Sequence, residues 1–306
     1  MSAMASRLPV GAGGVLEAFS TDGSNNMSTR KLGFVDYRLD NFHANVFLDL
    51  VRGELKSRRW EVTRCWDMDP ASGVKWAESK GISYVTEISQ MRDCDGFMIL
   101  APSNPEVHLE MARRVFPLQR PTYVDKTFAP DHKTAKAILR LADKYGVPVF
   151  TTSALRCASS LNRLLDQLCR ENIRHLRAWG GGRSFREYAI HPLEMVIAAM
   201  GPEVRQVMHL AQGEHHELNI RFSRGRTASV FVHLNAACDF QAVVSTRGKT
   251  VHVSCKDDPI FRDLCSLVLD FLEQGKEPVD RRESLTIFKV LDAAFSKKAI
   301  GKLVKV

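Results

Sequence analysis

The stretch Lys31–Ala44, KLGFVDYRLDNFHA, decides the fold class of this chain. Its apolar run at Leu32–Asp36 has the length and composition of a buried strand, and a helical pattern follows directly. Apolar residues in that helix recur at spacings of three and four, at Ala44, Leu48, Val51 and Leu55. A strand that leads into an amphipathic helix is the first half of a βαβ unit, from which parallel sheets are built.

The same alternation of strand and helix continues to about residue 153. Further strands are predicted at Glu61–Trp66, Ile82–Val85, Gly96–Leu100, Thr122–Val124 and Val147–Thr151. Strands alternating with helices at this interval predict a parallel sheet that is covered on both faces. We therefore expect a Rossmann-like, doubly wound α/β domain of the dinucleotide-binding type over residues 30–153.

After Arg156 the pattern changes to strands that follow one another without helices between them. These runs are Val204–Ala211, Glu217–Phe222, Thr227–Leu234, Phe240–Thr246 and Thr250–Ser254. Helices are predicted around Phe261–Glu273 and Arg282–Lys297. This order predicts a second, α+β domain over residues 154–306 with an open, mainly antiparallel sheet, which would serve substrate binding and oligomerisation. Because the face of such a sheet needs covering, we expect a homodimer or homotetramer.

Composition excludes several classes of protein. The chain has 306 residues, with 43 Lys and Arg against 35 Asp and Glu, and basic and acidic residues are mixed along it. This mixing favours a solvated surface, and we expect no nucleic-acid partner. No membrane span or signal peptide is apparent, which predicts a soluble, cytoplasmic protein that does not bind membranes. The seven cysteines form no Cys-x-x-Cys pair, so we expect no metal site.

Residues 1–29 are rich in Gly, Ser, Ala and Asn and lack periodicity, which predicts a flexible tail. Met27 lies just before the first strand and is an alternative start to Met1.

The turn after the first strand lacks the glycines that usually let a backbone approach a pyrophosphate. Asp36, Arg38 and Asn41 stand where the three glycines of G-x-G-x-x-G would be, and a carboxylate at Asp36 would repel phosphate. Asp67, at the end of the second strand, is where an acid that binds the ribose would lie. The same residue could instead cap a helix.

Four segments resemble the glucose-fructose oxidoreductase, inositol dehydrogenase and rhizopine-catabolism (Gfo/Idh/MocA) family. Asp95–His108, DGFMILAPSNPEVH, resembles the fourth-strand segment, and Tyr123–Ala129, YVDKTFA, resembles the Glu-Lys-Pro segment. Gly180–Gly201, GGGRSFREYAIHPLEMVIAAMG, is similar to the active-site helix region, and the last 36 residues resemble the two closing helices. The resemblance covers about residues 31–306.

This resemblance implies NAD-dependent oxidation or reduction at a secondary alcohol of a sugar, cyclitol or related polyol, in carbohydrate metabolism. Lys126 aligns with the lysine that contacts cofactor and substrate hydroxyl, and His191 aligns with the catalytic base, a role that suits imidazole. Glu187 replaces an aspartate and would orient His191 or relay protons. Cofactor positions fall on Asp36, Asp67, Pro102 and Lys126.

Weaker candidates for substrate binding are Arg156, His108 and Tyr188. The pair His215–His216 does not suggest a metal site, because neighbours on a strand point to opposite faces. Thr127 replaces the proline that usually follows the lysine, so we expect a trans peptide bond there.

Because the catalytic side resembles the family more closely than the cofactor side, three functions stay open. The chain could be an NAD-dependent oxidoreductase, a lyase, hydrolase or isomerase that needs no NAD, or a noncatalytic ligand-binding regulator.

Overall fold

The computed structural model describes residues 28–306, so residues 1–27 of the predicted tail lie outside the described residues. The first half of the chain forms one parallel sheet. Its strands are β1 (Arg30–Asp36), β2 (Trp60–Asp67), β3 (Ser83–Tyr84), β4 (Gly96–Ile99), β5 (Thr122–Val124) and β6 (Val149–Phe150). Their spatial order is β3-β2-β1-β4-β5-β6, which confirms the Rossmann-like sheet. The strand order reverses between β1 and β4, and ligands of such sheets bind at this point, outside the carboxyl ends of the strands.

Helices cover this sheet and the one that follows. They are α1 (Phe42–Arg52), α2 (Pro70–Lys80), α3 (His108–Val115), α4 (His132–Tyr145), α5 (Ser159–Leu165), α6 (Phe185–Tyr188), α7 (Ile190–Met200), α8 (Ile260–Gln274) and α9 (Arg281–Phe295). Within residues 28–306, no helix is both long and apolar enough to cross a bilayer.

The second half forms a seven-stranded sheet in which most neighbours are antiparallel, as predicted. Its strands are β7 (Ile173–Gly182), β8 (Val204–Gln212), β9 (His215–Phe222), β10 (Thr227–Leu234), β11 (Gln241–Thr246), β12 (Thr250–Ser254) and β13 (Val304–Lys305). The order is β12-β11-β7-β10-β9-β8-β13, and β7 pairs in parallel with β10. The sequence pattern did not predict β7, which lies near the middle of the sheet.

Two helices join the sheets. Helix α7 is buried along most of its length and packs on β7 and β10, so its first turn reaches the carboxyl edge of the first sheet. Helix α8 follows the second sheet in sequence, yet it packs against α1 and beside β5. Leu272 lies so close to β4 that a Cβ on Gly96 would be 2.9 Å from it. The domain boundary between residues 153 and 154 stays a prediction. Helix α8 belongs to the second half of the sequence but packs on the first sheet.

Candidate functional site

Lys126 and His191 line one cavity of about 220 Å³ at the carboxyl edge of the first sheet. Lys126 follows β5, and His191 lies in the first turn of α7. The other residues that line this cavity are Phe42, His43, Asp125, Ser153, Ala154, Leu155, Tyr188, Phe240, Ile260, Phe261 and Leu264. We call it the Lys126–His191 cavity. The structure thus brings together the two residues to which the resemblance assigns catalysis.

Glycines of β7 allow aromatic rings to form one wall of the cavity. A Cβ on Gly182 would lie 2.3 Å from Tyr188, and one on Gly180 would lie 2.1 Å from Phe240. Both rings make edge contacts with His191, at centroid distances of 5.7 and 5.5 Å. Gly180 and Gly182 therefore leave the space that these two rings occupy. Tyr188 lines the cavity, as the sequence suggested.

His191 is fixed through one ring nitrogen and uncharged at neutral pH. Its Nδ1 atom lies 2.7 Å from the hydroxyl of Ser153, a residue that sequence reasoning did not single out. Burial lowers the pKa of His191 to about 3, and the charges of Lys126 and His43 act in the same direction. A neutral imidazole can accept a proton, although so low a pKa makes it a weak base until the neighbouring charges change.

Asp125 organises the opposite side of the cavity. Its Oδ1 atom accepts hydrogen bonds from the Tyr123 hydroxyl (3.0 Å) and the Lys126 amide (2.8 Å), and its Oδ2 atom lies 2.5 Å from His43 Nδ1. Burial would raise the pKa of Asp125, but His43 and Lys126 outweigh it and lower that pKa below its ordinary value. Asp125 is therefore a carboxylate beside two basic side chains. Sequence reasoning missed both His43 and Asp125.

The peptide bond between Lys126 and Thr127 is cis. The expected trans bond was wrong, because that expectation used only the general preference of non-proline residues.

Asp36 fills the turn between β1 and α1. The fully buried carboxylate accepts hydrogen bonds from the amides of Arg38 (3.1 Å) and Ala101 (3.0 Å) and from the Asn41 side chain (2.8 Å). The Asn41 side chain also accepts the Ala44 amide and so caps α1. Amides that an open glycine turn would offer to phosphate are thus bonded to protein groups instead.

Asp67 holds the same turn from the neighbouring strand. It is fully buried, and its two oxygens accept the amides of Leu39 and Asp69, both at 2.7 Å. Asp69, and not Asp67, caps α2. The structure therefore excludes the capping role for Asp67, and both oxygens of Asp67 are bonded to protein amides. With Asp36 and Asp67 in this arrangement, the residues of the turn do not fit the pyrophosphate and ribose of a dinucleotide.

Burial of Asp36 predicts an unusual pH dependence of stability. It raises the pKa of Asp36 to about 7 from an ordinary 3.8, although hydrogen bonds from Arg38, Asn41 and Ala101 oppose the rise. Between these values the folded state binds a proton that the unfolded state has lost, so the free energy of unfolding should fall as pH rises. The fall should amount to a few kcal/mol, at about 1.4 kcal/mol per pKa unit.

The matched variant is Asp36→Asn, which cannot lose this proton. Urea unfolding of both proteins at pH 5 and pH 8 should show a smaller decrease in the variant. An equal decrease in the two proteins would contradict the assignment.

Glu187 lies in a second cavity, of about 390 Å³, between the loops after β4 and β5 and helices α6 and α9. Its carboxylate accepts a hydrogen bond of 3.0 Å from Ser103. Pro102 and Thr127 line the same space, which we call the Ser103–Glu187 cavity. Although Glu187 precedes His191 by one helical turn, the structure does not bring it into the Lys126–His191 cavity.

The remaining candidates bond to protein groups. His108 is fully buried, with its ring nitrogens 2.7 Å from the Leu100 carbonyl and 3.1 Å from that of Phe128. Arg156 forms ion pairs with Glu194 (2.6 Å) and Glu283 (2.7 Å). Neither side chain lines either cavity described above, so we do not include His108 or Arg156 in the proposed site.

The pair His215–His216 lies on β9. His216 contacts His209 Nε2 at 3.0 Å, and His215 packs on Phe231. In the part of the chain that the structure describes, no three His, Cys, Asp or Glu residues are placed to hold a metal ion.

No protein-family model and no curated protein matches the sequence. Solved structures do match. GenD2 from gentamicin A biosynthesis, in complex with NAD, is similar with a TM-score of 0.76 at 15% identity, over 98% of this chain and 99% of that one. The chain has the fold of the Gfo/Idh/MocA-type dehydrogenases.

Two inositol dehydrogenases show the same likeness. The scyllo-inositol dehydrogenase from Lactobacillus casei is 13% identical, and the myo-inositol dehydrogenase from Corynebacterium glutamicum is 12% identical. Each has a TM-score of 0.76 and is matched over 91% of this chain and 99% of its own. The family resemblance of the sequence is thus confirmed at the level of the fold.

Proposed function

We propose that this chain is a Gfo/Idh/MocA-like oxidoreductase that acts at a secondary alcohol, or its ketone, of a sugar, cyclitol or related polyol. The observation that carries the proposal is the meeting of Lys126 and His191 in one cavity at the carboxyl edge of the first sheet. The likeness to inositol dehydrogenases and to an NAD complex supports it.

In this proposal His191 and Lys126 have different roles. His191, neutral and held by Ser153, takes the proton of the reacting hydroxyl through Nε2. The Lys126 ammonium stabilises the negative charge that develops on the same oxygen, an effect that is strong in a site from which water is largely excluded. Tyr188 and Phe240 provide an apolar wall for the ring of the substrate. The small volume of the cavity, about 220 Å³, suits a single sugar or cyclitol ring.

NAD(H) is the hydride acceptor that the resemblance implies. Lys126 and the adjoining cavity are compatible with a nicotinamide, but the turn that holds Asp36 and Asp67 does not fit the rest of the dinucleotide. We therefore assign no step to the cofactor.

This misfit favours a second candidate function, an enzyme that needs no NAD. Lys126 and His191 could remove a proton from the carbon next to a carbonyl, with Lys126 stabilising the resulting enolate. An isomerase, a lyase or a hydrolase could use such a step. Both candidates depend on the same Lys126–His191 cavity and differ only in whether a hydride leaves the substrate.

Titration of the purified protein with NAD(H) separates the two candidates. Nicotinamide fluorescence and calorimetry up to millimolar cofactor measure binding, and a panel of sugars, inositols and polyols measures NAD-dependent turnover. Saturable binding with turnover supports the oxidoreductase. Absence of binding would exclude it and leave the enzyme that needs no NAD and the noncatalytic ligand-binding regulator.

The turn itself supplies a control. If Asp36 excludes the dinucleotide, the double variant Asp36→Gly, Arg38→Gly should bind NAD more tightly than the wild type. Unchanged affinity in a folded variant would mean that the turn is not the cause.

A further inference from the structure

His43 lines the cavity beside Lys126 and His191. It lies in the first turn of α1, and its Nδ1 atom contacts Asp125 Oδ2. The ring packs edge-on against Phe42, Phe47 and Phe261, which fix its plane. The side chain is 11% exposed and lines the cavity. An imidazole has thus taken a position from which a ligand group could be reached.

His43 and His191 are held in the same way. Each has a buried oxygen partner on Nδ1, the Asp125 carboxylate for His43 and the Ser153 hydroxyl for His191. For neither ring does Nε2 have a hydrogen-bond partner within residues 28–306. Because the hydrogen bond to one nitrogen fixes the ring, the other nitrogen is left for proton transfer. Two oriented imidazoles therefore share one cavity with a lysine.

The surroundings of the two rings differ in charge. The carboxylate of Asp125 contacts Nδ1 of His43 and orients the ring for proton transfer through Nε2. His191 has no carboxylate partner and lies near Lys126 and His43, so it is neutral, and it becomes a stronger base as His43 gives its proton to the substrate. An acid and a base with opposed environments are the usual arrangement for moving protons at two positions of one substrate.

We propose that His43 is a second proton-transfer residue and that the cavity isomerises a polyhydroxylated ketone or aldehyde through an enediol. This inference rests on the proposed Lys126–His191 cavity and extends its second candidate function.

The step balances without an external oxidant. His191 removes the proton from the hydroxyl-bearing carbon beside the carbonyl, and the electron pair of that bond forms the carbon–carbon double bond. The carbonyl oxygen takes a proton from His43, with Lys126 stabilising its negative charge. His43 then takes the proton of the other enediol hydroxyl, and His191 returns a proton to the former carbonyl carbon. The carbonyl has moved by one carbon, and no electron leaves the substrate.

Exchange of carbon-bound hydrogen with solvent deuterium tests this directly, because His191 would return a deuteron in D₂O. The probes are D-fructose and 2-keto-myo-inositol, followed by proton NMR with the full chain and no added cofactor. Wild type should catalyse exchange, and His43→Ala should lower the rate by about 10²-fold or more. Free imidazole should restore part of the rate in His43→Ala only. His175→Ala, which removes a half-buried histidine bonded to Thr227, is the matched control and should exchange like wild type.

Each outcome of the exchange experiment either supports or overturns the role proposed for His43. Wild-type exchange with loss and imidazole rescue in His43→Ala supports the proposal. Undiminished exchange in His43→Ala overturns it, and so does a loss that imidazole does not rescue, since a merely structural role would give that result. If wild type exchanges neither ketone, the isomerase inference fails, whereas NAD-dependent turnover in the panel would still support the oxidoreductase.

Discussion

Replacing Lys126 by methionine is expected to lower kcat/KM on the substrate that the panel identifies by about 10²–10³-fold, the usual cost of removing one group that stabilises charge in a transition state. Methionine keeps the length and the apolar stem of the side chain, and Lys126 is only 8% exposed, so the packing should change little. Steady-state kinetics measure the loss. The fall should lie mainly in kcat, because the charge on the oxygen develops during the reaction.

The same variant gives a second readout that needs no substrate. Lys126 is one cause of the lowered pKa of His191, so NMR titration should show a higher pKa for His191 in Lys126→Met. Lys136→Met, at an exposed position on α4, is the control and should change neither value. Activity within threefold of wild type in Lys126→Met would contradict the catalytic assignment.

Replacing Arg156 by methionine should give the largest loss of stability, about 3–5 kcal/mol, as expected when one partner of a buried ion pair is removed. Arg156 is 14% exposed and lies between Glu194 and Glu283, whose side chains are 3% and 7% exposed. The change leaves Glu194 with Thr152 and Glu283 with Arg170 as their remaining partners. Urea unfolding at pH 7 measures the difference.

Arg163→Met is the matched control, since Arg163 is an exposed arginine that lines the same surface groove as Arg156. Its effect should stay within about 1 kcal/mol. If Arg156→Met were as stable as wild type but had a strongly raised KM, Arg156 would contact substrate, as the sequence resemblance suggested.

The first sheet could be predicted because its strands are short, buried on both faces and separated by clear helical patterns. Strand β7 was missed for the opposite reason. In IRHLRAWGGG the basic residues Arg174, His175 and Arg177 interrupt the apolar run, and the three glycines lower the strand propensity. Those glycines are required by the rings of Tyr188 and Phe240, a contact that appears only in the folded chain.

The candidate site, too, includes contacts that appear only in the folded chain. Lys126 and His191 could be found from local motifs, but His43 and Asp125 are 82 residues apart, and Ser153 and His191 are 38 apart. Glu187 was grouped with His191 from helical spacing alone, whereas its carboxylate bonds to Ser103 in the other cavity. The non-glycine turn at Asp36 was the one sequence signal that this part of the fold had changed.

A crystal structure with the ketone or polyol that the protein turns over tests the central claim most directly, because the candidate residues are divided between two cavities. The account predicts the ligand in the Lys126–His191 cavity, with its reacting oxygen within about 3 Å of Lys126 Nζ and within reach of His191 Nε2. A ligand bound instead in the Ser103–Glu187 cavity, away from both side chains, would contradict it.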